Sequence, residues 1–278
     1  MSNIYSAYQH QSASFQPEKL KQYRLRVVSR PEVLLYAVLS ASDQILAVKE
    51  YRSKVPLAFP EFFDEVYSQD YFLKEDYRSI EMVNSSLEFS LVPTIFFKPH
   101  QVKELAGALI KENTDLDHLE YLEMAFTGAT AIYTVPFPMK QKCDHFFQNL
   151  QYQPFCQLMV NLGMELAKQS PSSLLLHIME KQFVITAFKG GHLHLCNAYD
   201  YESVLDMVYF LQLVMEILKL DVSQTKIYLS GDFEEESELT RQLKKYVPRV
   251  EIPKKEFQRR FQTKGDQLPI WKYAYLAW

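Results

Sequence analysis

Glycine is scarce in this chain, with 7 glycines among 278 residues, where about 7% would be usual. Glycine lets the backbone pass closely around a phosphate, because it has no side chain and tolerates unusual φ angles. The sequence therefore offers few places for the glycine-rich loops of nucleotide-using enzymes. It also contains no Walker, GxSxG or HExxH motif. The sequence therefore lacks the motifs of P-loop hydrolases, of acyl-transfer enzymes with a GxSxG nucleophile and of zinc proteases.

The chain also has few cysteines, no long uninterrupted apolar segment and a small net charge. The three cysteines show no CxxC spacing, which predicts buried thiols in a reducing compartment and a cytoplasmic protein. The most apolar helical window, residues 204–220, is interrupted by Asp206 and Glu216, so we expect no transmembrane segment. A formal net charge of −4 gives no general attraction to nucleic acid, so we do not favour a nucleic-acid partner.

The first residues differ in composition from the rest of the chain. Ser2 to Gln16 is mostly Ser, Gln, Tyr and Ala, with neither a basic start nor an apolar stretch. We therefore expect no secretory signal peptide, and a flexible N-terminal arm over residues 1–22.

Strand-like segments occur in two similar triplets. One runs from Tyr23 to Tyr51 and the other from Ser173 to Tyr199, where Gly190-Gly191 suits a two-residue hairpin turn. Helical periodicity follows each triplet, and Ser203 with Asp206 predicts a capping box at the start of the second helix. This pattern predicts an α/β protein with mixed sheets in two related domains: 23–152, with an inserted subdomain at about 79–136, and 153–278.

The order of these elements resembles the actin-like superfamily. Closer still are the cytoplasmic actin-like proteins of type IV pilus assembly and type II secretion, and a bacterial family of unknown function with this fold. The stretch SIEMVNSSLEFSLVPTIFFKPHQVKELAGALI from Ser79 to Ile110 resembles the start of their extra subdomain, and TKIYLSGD from Thr225 to Asp232 resembles a late strand. The resemblance implies a duplicated actin-like (ribonuclease H-like) fold with two domains around a cleft.

Active members of the superfamily hold nucleotide phosphates and a metal ion with two Asp-x-Gly turns and a glycine-rich loop. Here the turn at Ser29–Glu32 has neither Asp nor Gly, and its Pro31 has no backbone N–H to donate. The turn at His177–Lys181 also lacks both residues. The third loop, Ser230–Glu236, keeps one glycine and carries four acidic residues, which repel a triphosphate.

These departures predict a noncatalytic scaffold or protein-interaction module that uses no cofactor. One alternative is a nucleotide-binding ATPase or kinase with atypical phosphate contacts, which would use ATP with Mg and hold a phosphate through Arg30. A second alternative is an unrelated α+β binding domain. We expect a protein partner that the sequence does not identify, and a homo-oligomer stays open. The candidate cleft positions are Ser29, Arg30, His177, Glu180, Ser230, Gly231 and Asp232.

One histidine-rich segment offers a weaker candidate for a metal site. His192, His194 and Cys196 alternate, so a regular strand would point all three to one face, with His177 as a further ligand. H-x-H pairs arise easily by chance, and Leu193 suits a half-buried strand. We therefore prefer a structural role and predict no metal.

The last part of the chain combines basic and aromatic residues. On a helix, Phe257 and Phe261 would lie on one face toward a core, with the neighbouring Lys and Arg side chains toward water. The segment Leu268–Trp278 alternates like a strand. We expect it to pack back onto the body of the protein or to form a partner surface.

Overall fold

The computed structural model describes residues 3–110, 118–170, 172–247, 249–261 and 269–278. The strands are β1 (Ile4–Gln11), β2 (Arg24–Arg30), β3 (Val33–Leu39), β4 (Ile45–Ser53), β5 (Ser79–Asn84), β6 (Phe89–Pro93), β7 (Leu119–Met124), β8 (Ala129–Thr134), β9 (Leu150–Pro154), β10 (Ser173–Ile178), β11 (Gln182–Lys189), β12 (His192–Asp200), β13 (Lys226–Gly231) and β14 (Val250–Glu251). The α-helices are α1 (Phe59–Gln69), α2 (Val102–Leu109), α3 (Phe137–Phe146), α4 (Phe155–Ala167), α5 (Val204–Ile217), α6 (Glu238–Tyr246), α7 (Lys254–Gln258) and α8 (Ile270–Tyr273).

The two large sheets share one topology. The first has the order β1-β4-β3-β2-β5-β9 and the second β12-β11-β10-β13-β14. Apart from the additional antiparallel edge strand β1 of the first sheet, each has three antiparallel strands followed by two parallel ones. A helix, α1 or α5, follows the third of these strands in the chain. The predicted internal duplication is therefore confirmed, and the alternative of an unrelated α+β topology is wrong.

The inserted segment forms a third sheet with the order β6-β8-β7, which α2 covers. The prediction began this subdomain at Ser79, but Ser79–Asn84 is strand β5 of the first large sheet, where it pairs in parallel with β2. Every residue of β5 after Ser79 is buried. The added sheet therefore starts at Phe89.

The start of the chain departs from the predicted flexible arm. Ile4–Gln11 is strand β1, which pairs with β4 and forms the edge of the first sheet. Ile4 is buried and most of the other β1 side chains face solvent, which is why the composition looked polar. Phe15 and Leu20, in the segment that connects β1 to β2, are also buried and pack this segment onto the first domain.

The core between the two large sheets is built around α4. Most α4 side chains are buried, and they share one apolar cluster with strands from both halves. At α5, the Asp206 carboxylate accepts a bond of 2.8 Å from the Ser203 backbone N–H, as the predicted capping box requires. Within the described ranges, no helix is long and apolar enough to span a bilayer.

The segment Pro269–Trp278, called here the cleft segment, lies between the two halves. The predicted alternating strand is wrong: helix α8 and a 3₁₀ turn at Ala274–Ala277 form instead, and Leu268 lies outside the described residues. Arg26 of β2 donates to the Leu276 carbonyl at 2.6 Å, which ties the segment to the first half. Trp271 donates to the carbonyl of Phe233 in the second half at 3.0 Å.

Candidate functional site

Two of the predicted cleft positions meet across the junction of the halves. The Nη1 atom of Arg30, at the end of β2, lies 2.6 Å from Oδ2 of Asp232, just after β13. Lys272 of the cleft segment approaches Oδ1 of the same carboxylate at 3.4 Å. Burial alone would raise the pKa of Asp232, but the charges of Arg30 and Lys272 outweigh it and lower that pKa. Asp232 is therefore an ionised carboxylate that links both halves to the cleft segment.

A second buried carboxylate extends this network into the first sheet. Glu50 of β4 is only 1% exposed and binds Lys272 at 3.0 Å. It also accepts from Arg52 at 2.6 Å and from the Tyr273 hydroxyl at 2.9 Å. Burial opposes ionisation, but Lys272 and these bonds lower the pKa of Glu50 overall. We call these charged residues the ion network: Arg30, Glu50, Arg52, Asp232 and Lys272. Through Lys272 of the cleft segment, the network connects β4 to the carboxylate that follows β13.

His177 and Ser230 also lie together, in the interior. His177 Nδ1 is 2.8 Å from Ser230 Oγ, and the edges of Phe155 and Tyr275 pack on the imidazole ring. Burial lowers the pKa of His177 to about 3, so the ring is neutral at physiological pH. In this structure His177 therefore lies in the packed interior, in contact with Ser230 and two aromatic rings.

Gly231 has a structural reason to be glycine. Its φ is +106°, and a Cβ atom there would lie 2.1 Å from the carbonyl oxygen of Ile178. The next amide, that of Asp232, donates to the same carbonyl at 2.7 Å. This glycine therefore allows β10 and β13 to approach each other.

The hairpin turns use their backbone groups within the protein. The Ser29 carbonyl accepts from the backbone N–H of Ser85 at 3.2 Å and also from its hydroxyl. At the second turn, the Met179 amide donates to the Gln182 carbonyl at 2.9 Å. With Asp232 also neutralised by two cations, these residues fit ATP with Mg poorly.

The structure gathers most of the predicted cleft positions into two groups: Arg30 with Asp232, and His177 with Ser230. Glu180 belongs to neither, because it is exposed in the β10–β11 turn, where its carbonyl accepts from Tyr201. Several other residues of the site were not predicted from the sequence. The missed residues are Glu50, Arg52, Lys272, Tyr273 and Tyr275. A buried charge within the apolar strand ILAVKEYRS was the available signal.

The proposed metal ligands do not share a face. Pairing with β11 is shifted between Ala187 and Phe188, which leaves His194 as an extra residue on β12. After this bulge the alternation changes, so His192 and His194 are exposed while Cys196 is buried beside Thr186. No group of three metal-ligating side chains occurs in the part of the chain that the structure describes.

The basic-aromatic segment buries its two phenylalanines as predicted, but the predicted single helix is wrong, because α7 ends at Gln258 and Phe261 forms a parallel bridge with Ile45. Phe257 and Phe261 are both buried and belong to the central core. Arg260 stacks over the Trp278 ring at 4.6 Å from its centroid, while Lys254 pairs with Glu235. Phe257 also packs against the Trp278 ring, so this segment contacts the cleft segment from one side.

We predict that Asp232→Asn lowers the free energy of unfolding by about 2 kcal/mol, because Arg30 and Lys272 lose their counter-charge. The expected loss stays below that of a fully buried pair, since the side chains of Arg30 and Asp232 are 12% and 22% exposed. Urea unfolding measures it, and a double-mutant cycle with Arg30→Met should give coupling of about 1 kcal/mol.

The matched control is Glu251→Gln, which breaks the surface pair with Lys226 and should cost less than about 0.5 kcal/mol. Equal effects at Asp232 and Glu251 would contradict a stabilising role for the ion network.

Solved structures with similar folds support the predicted resemblance. A Bacteroides thetaiotaomicron protein with an actin-like ATPase fold and unknown function aligns with a TM-score of 0.78 and 16% identity, covering 87% of this chain and 95% of that chain. A PilM–PilN type IV pilus biogenesis complex aligns with a TM-score of 0.59 and 12% identity, over 91% and 96% of the two chains. At such identities the likeness establishes the fold, and this chain has the actin-like ATPase fold.

No curated protein matches the chain. A family model described as "Protein of unknown function (DUF3822)" matches residues 12–250, which include both large sheets except for β1 and the last residue of β14. Because this match spans most of the chain, the chain belongs to the DUF3822 family.

Proposed function

We propose that this protein is a noncatalytic, cytoplasmic actin-like protein that acts as a scaffold or protein-interaction module. The observation that carries the proposal is the cleft segment, which lies between the two halves and joins them through Lys272, Tyr273 and Tyr275. In this proposal the segment holds the two halves in one arrangement, without a nucleotide or metal cofactor.

Two further observations support the proposal. At the two turns that correspond to the phosphate turns of active members, the Ser29 carbonyl and the Met179 amide bond to other groups of the protein. The similar PilM structure is a component of a complex, so an actin-like fold of this kind occurs as one member of a protein assembly. The three cysteines are free and buried, which supports a reducing compartment.

A nucleotide titration tests the noncatalytic part of the proposal. Thermal unfolding is measured with ATP and MgCl₂ up to about 5 mM, and a ligand at 100 times its Kd would stabilise the fold by about 2.7 kcal/mol. We expect no saturable shift and no release of phosphate. MgCl₂ alone and an equal concentration of pyrophosphate control for ionic effects.

A saturable, Mg-dependent stabilisation by ATP would contradict this proposal and favour an ATPase or kinase with atypical contacts. In that case Arg30→Met should abolish the shift, because Arg30 is the cation at the first turn. The interaction role is tested separately, by isolating the tagged protein from its host. A stoichiometric complex that survives gel filtration supports the role, and a protein that elutes alone opposes it.

A further inference from the structure

A pocket of about 450 Å³ opens beside the ion network, at the edge of the junction between the halves. It lies between α1, α3 and the β5–β6 turn on one side and strands β11 and β12 on the other. We call it the junction pocket. Its apolar lining comes mainly from Leu57, Phe59, Phe62, Leu87 and Met139. An aromatic or branched aliphatic side chain suits such a lining.

The charged residues that line the junction pocket are mostly acidic. Glu32, Glu88 and Asp200 contribute carboxylates, and Arg30 is already paired with Asp232. An occupant should therefore combine apolar side chains with a positive charge, because carboxylates next to an apolar surface favour a cation.

The inserted sheet presents an exposed apolar group of this kind. Ile95, Phe96 and Phe126 are 83%, 67% and 98% exposed, and we call them the apolar tip. A hydrogen bond of 2.9 Å from the Thr94 amide to the Gly128 carbonyl joins the two loops that carry them. The three side chains therefore lie at the same end of the third sheet.

Two features distinguish the apolar tip from scattered surface residues. Phe126 has a φ of +65°, a conformation that is unfavourable for a bulky side chain and tends to persist where function requires it. Lys98 follows two residues after Phe96 and is exposed, so the tip has a cation beside its apolar side chains.

The apolar tip and the junction pocket lie at opposite ends of β6. Ser86 to Glu88 line the pocket just before the strand begins, and Ile95 and Phe96 come just after it ends. Five residues of β-strand span roughly 17 Å, so a molecule cannot place its tip in its own pocket. A second molecule can supply either surface.

We propose that the apolar tip of one copy of this chain docks into the junction pocket of another, with Lys98 facing the acidic residues. The contact uses different surfaces on the two partners, so it is head-to-tail and leaves a free tip and a free pocket at the ends. Such contacts propagate into rings or linear oligomers. A small contact of this kind is weak, because stable interfaces bury more than about 1,000 Å².

Sedimentation velocity at protein concentrations up to about 200 µM tests the proposal, since an interface of this size needs high concentration. The wild-type chain should show a rising sedimentation coefficient, and Phe126→Asp and Leu57→Asp should each stay monomeric. Phe126→Asp should fold normally, because the side chain is exposed and Asp tolerates a positive φ better than Phe. The matched control is Tyr209→Asp, an exposed aromatic position on α5, which should associate like wild type.

Mixing the two monomeric variants tests whether the contact joins the tip of one molecule to the pocket of another. Phe126→Asp keeps its pocket and Leu57→Asp keeps its tip, so the mixture should form a 1:1 heterodimer that does not grow further. Because Leu57 is half-buried, Glu32→Lys and Lys98→Glu provide a second pair: each should weaken association about tenfold, and their mixture should restore it.

A wild-type chain that stays monomeric at about 200 µM overturns the proposal. Association that Leu57→Asp does not affect also overturns it, since the tips would then pack against each other. The Ser29–Glu32 turn also lines this pocket, so sedimentation is measured without nucleotide, and its outcome is then independent of the ATP titration.

Discussion

Gly231→Ala should lower the free energy of unfolding by at least about 4 kcal/mol, because a backbone clash adds to an unfavourable φ. The added Cβ would lie 2.1 Å from the Ile178 carbonyl oxygen and 2.7 Å from its nitrogen. Both contacts are to backbone atoms of the neighbouring parallel strand, so no side-chain rotation relieves them. Urea unfolding, or loss of soluble protein on expression, measures the effect.

Gly191→Ala separates the clash from the cost of the φ angle. Gly191 has a φ of +78° at the β11–β12 turn, and a Cβ atom there would meet nothing within 4 Å beyond its chain neighbours. Its substitution should cost only about 1 kcal/mol, the expense of a positive φ for alanine. If both variants lose similar stability, the close contact between β10 and β13 does not explain Gly231.

The architecture was largely predictable because its signals are local and repeated. Apolar strand segments, tight turns and a following helix recur in the same order in both halves, and this order with the hydrophobic pattern indicated the fold. Strand β1 was not predicted, because an edge strand exposes most of its side chains and its polar composition therefore resembled that of an unstructured arm. The β-bulge at His194 was not predicted either, because no single residue type encodes a shift in the register between two strands.

The candidate site was predictable only in part, because its members come from distant parts of the chain. Arg30 and Asp232 were identified from their turns, whereas their contact depends on how the two sheets face each other. Glu50 and Lys272 lie 222 residues apart, and nothing in either local sequence relates them. The aromatic residues of the cleft segment suggested a packed end, but helix α8 positions Lys272 and Tyr273 toward the carboxylates, which an alternating strand would not do.

The same site should make stability depend on pH through His177. Its pKa is 6.5 in the unfolded chain and falls to about 3 when folded, so between these values the unfolded chain binds the extra proton. Stability is therefore complete above pH 6.5 and falls as the pH drops toward 3. The loss should be about 2 kcal/mol from pH 7 to 5 and roughly 1.4 kcal/mol for each further unit. Urea unfolding at a series of pH values measures the slope.

His177→Asn isolates this contribution, because asparagine can still bond Ser230 but does not titrate. The variant should be less stable than wild type at pH 7, since Phe155 and Tyr275 lose packing, yet its stability should decline about 2 kcal/mol less between pH 7 and 5. In that range Asp232 and Glu50, whose pKa values are lowered, remain ionised, so they add little to the slope. The matched control is the same substitution at an exposed position, His192→Asn, which leaves the buried His177 in place. Parallel pH profiles for wild type and His177→Asn would contradict the prediction, because they would mean that the folded protein protonates His177 as readily as the unfolded chain does.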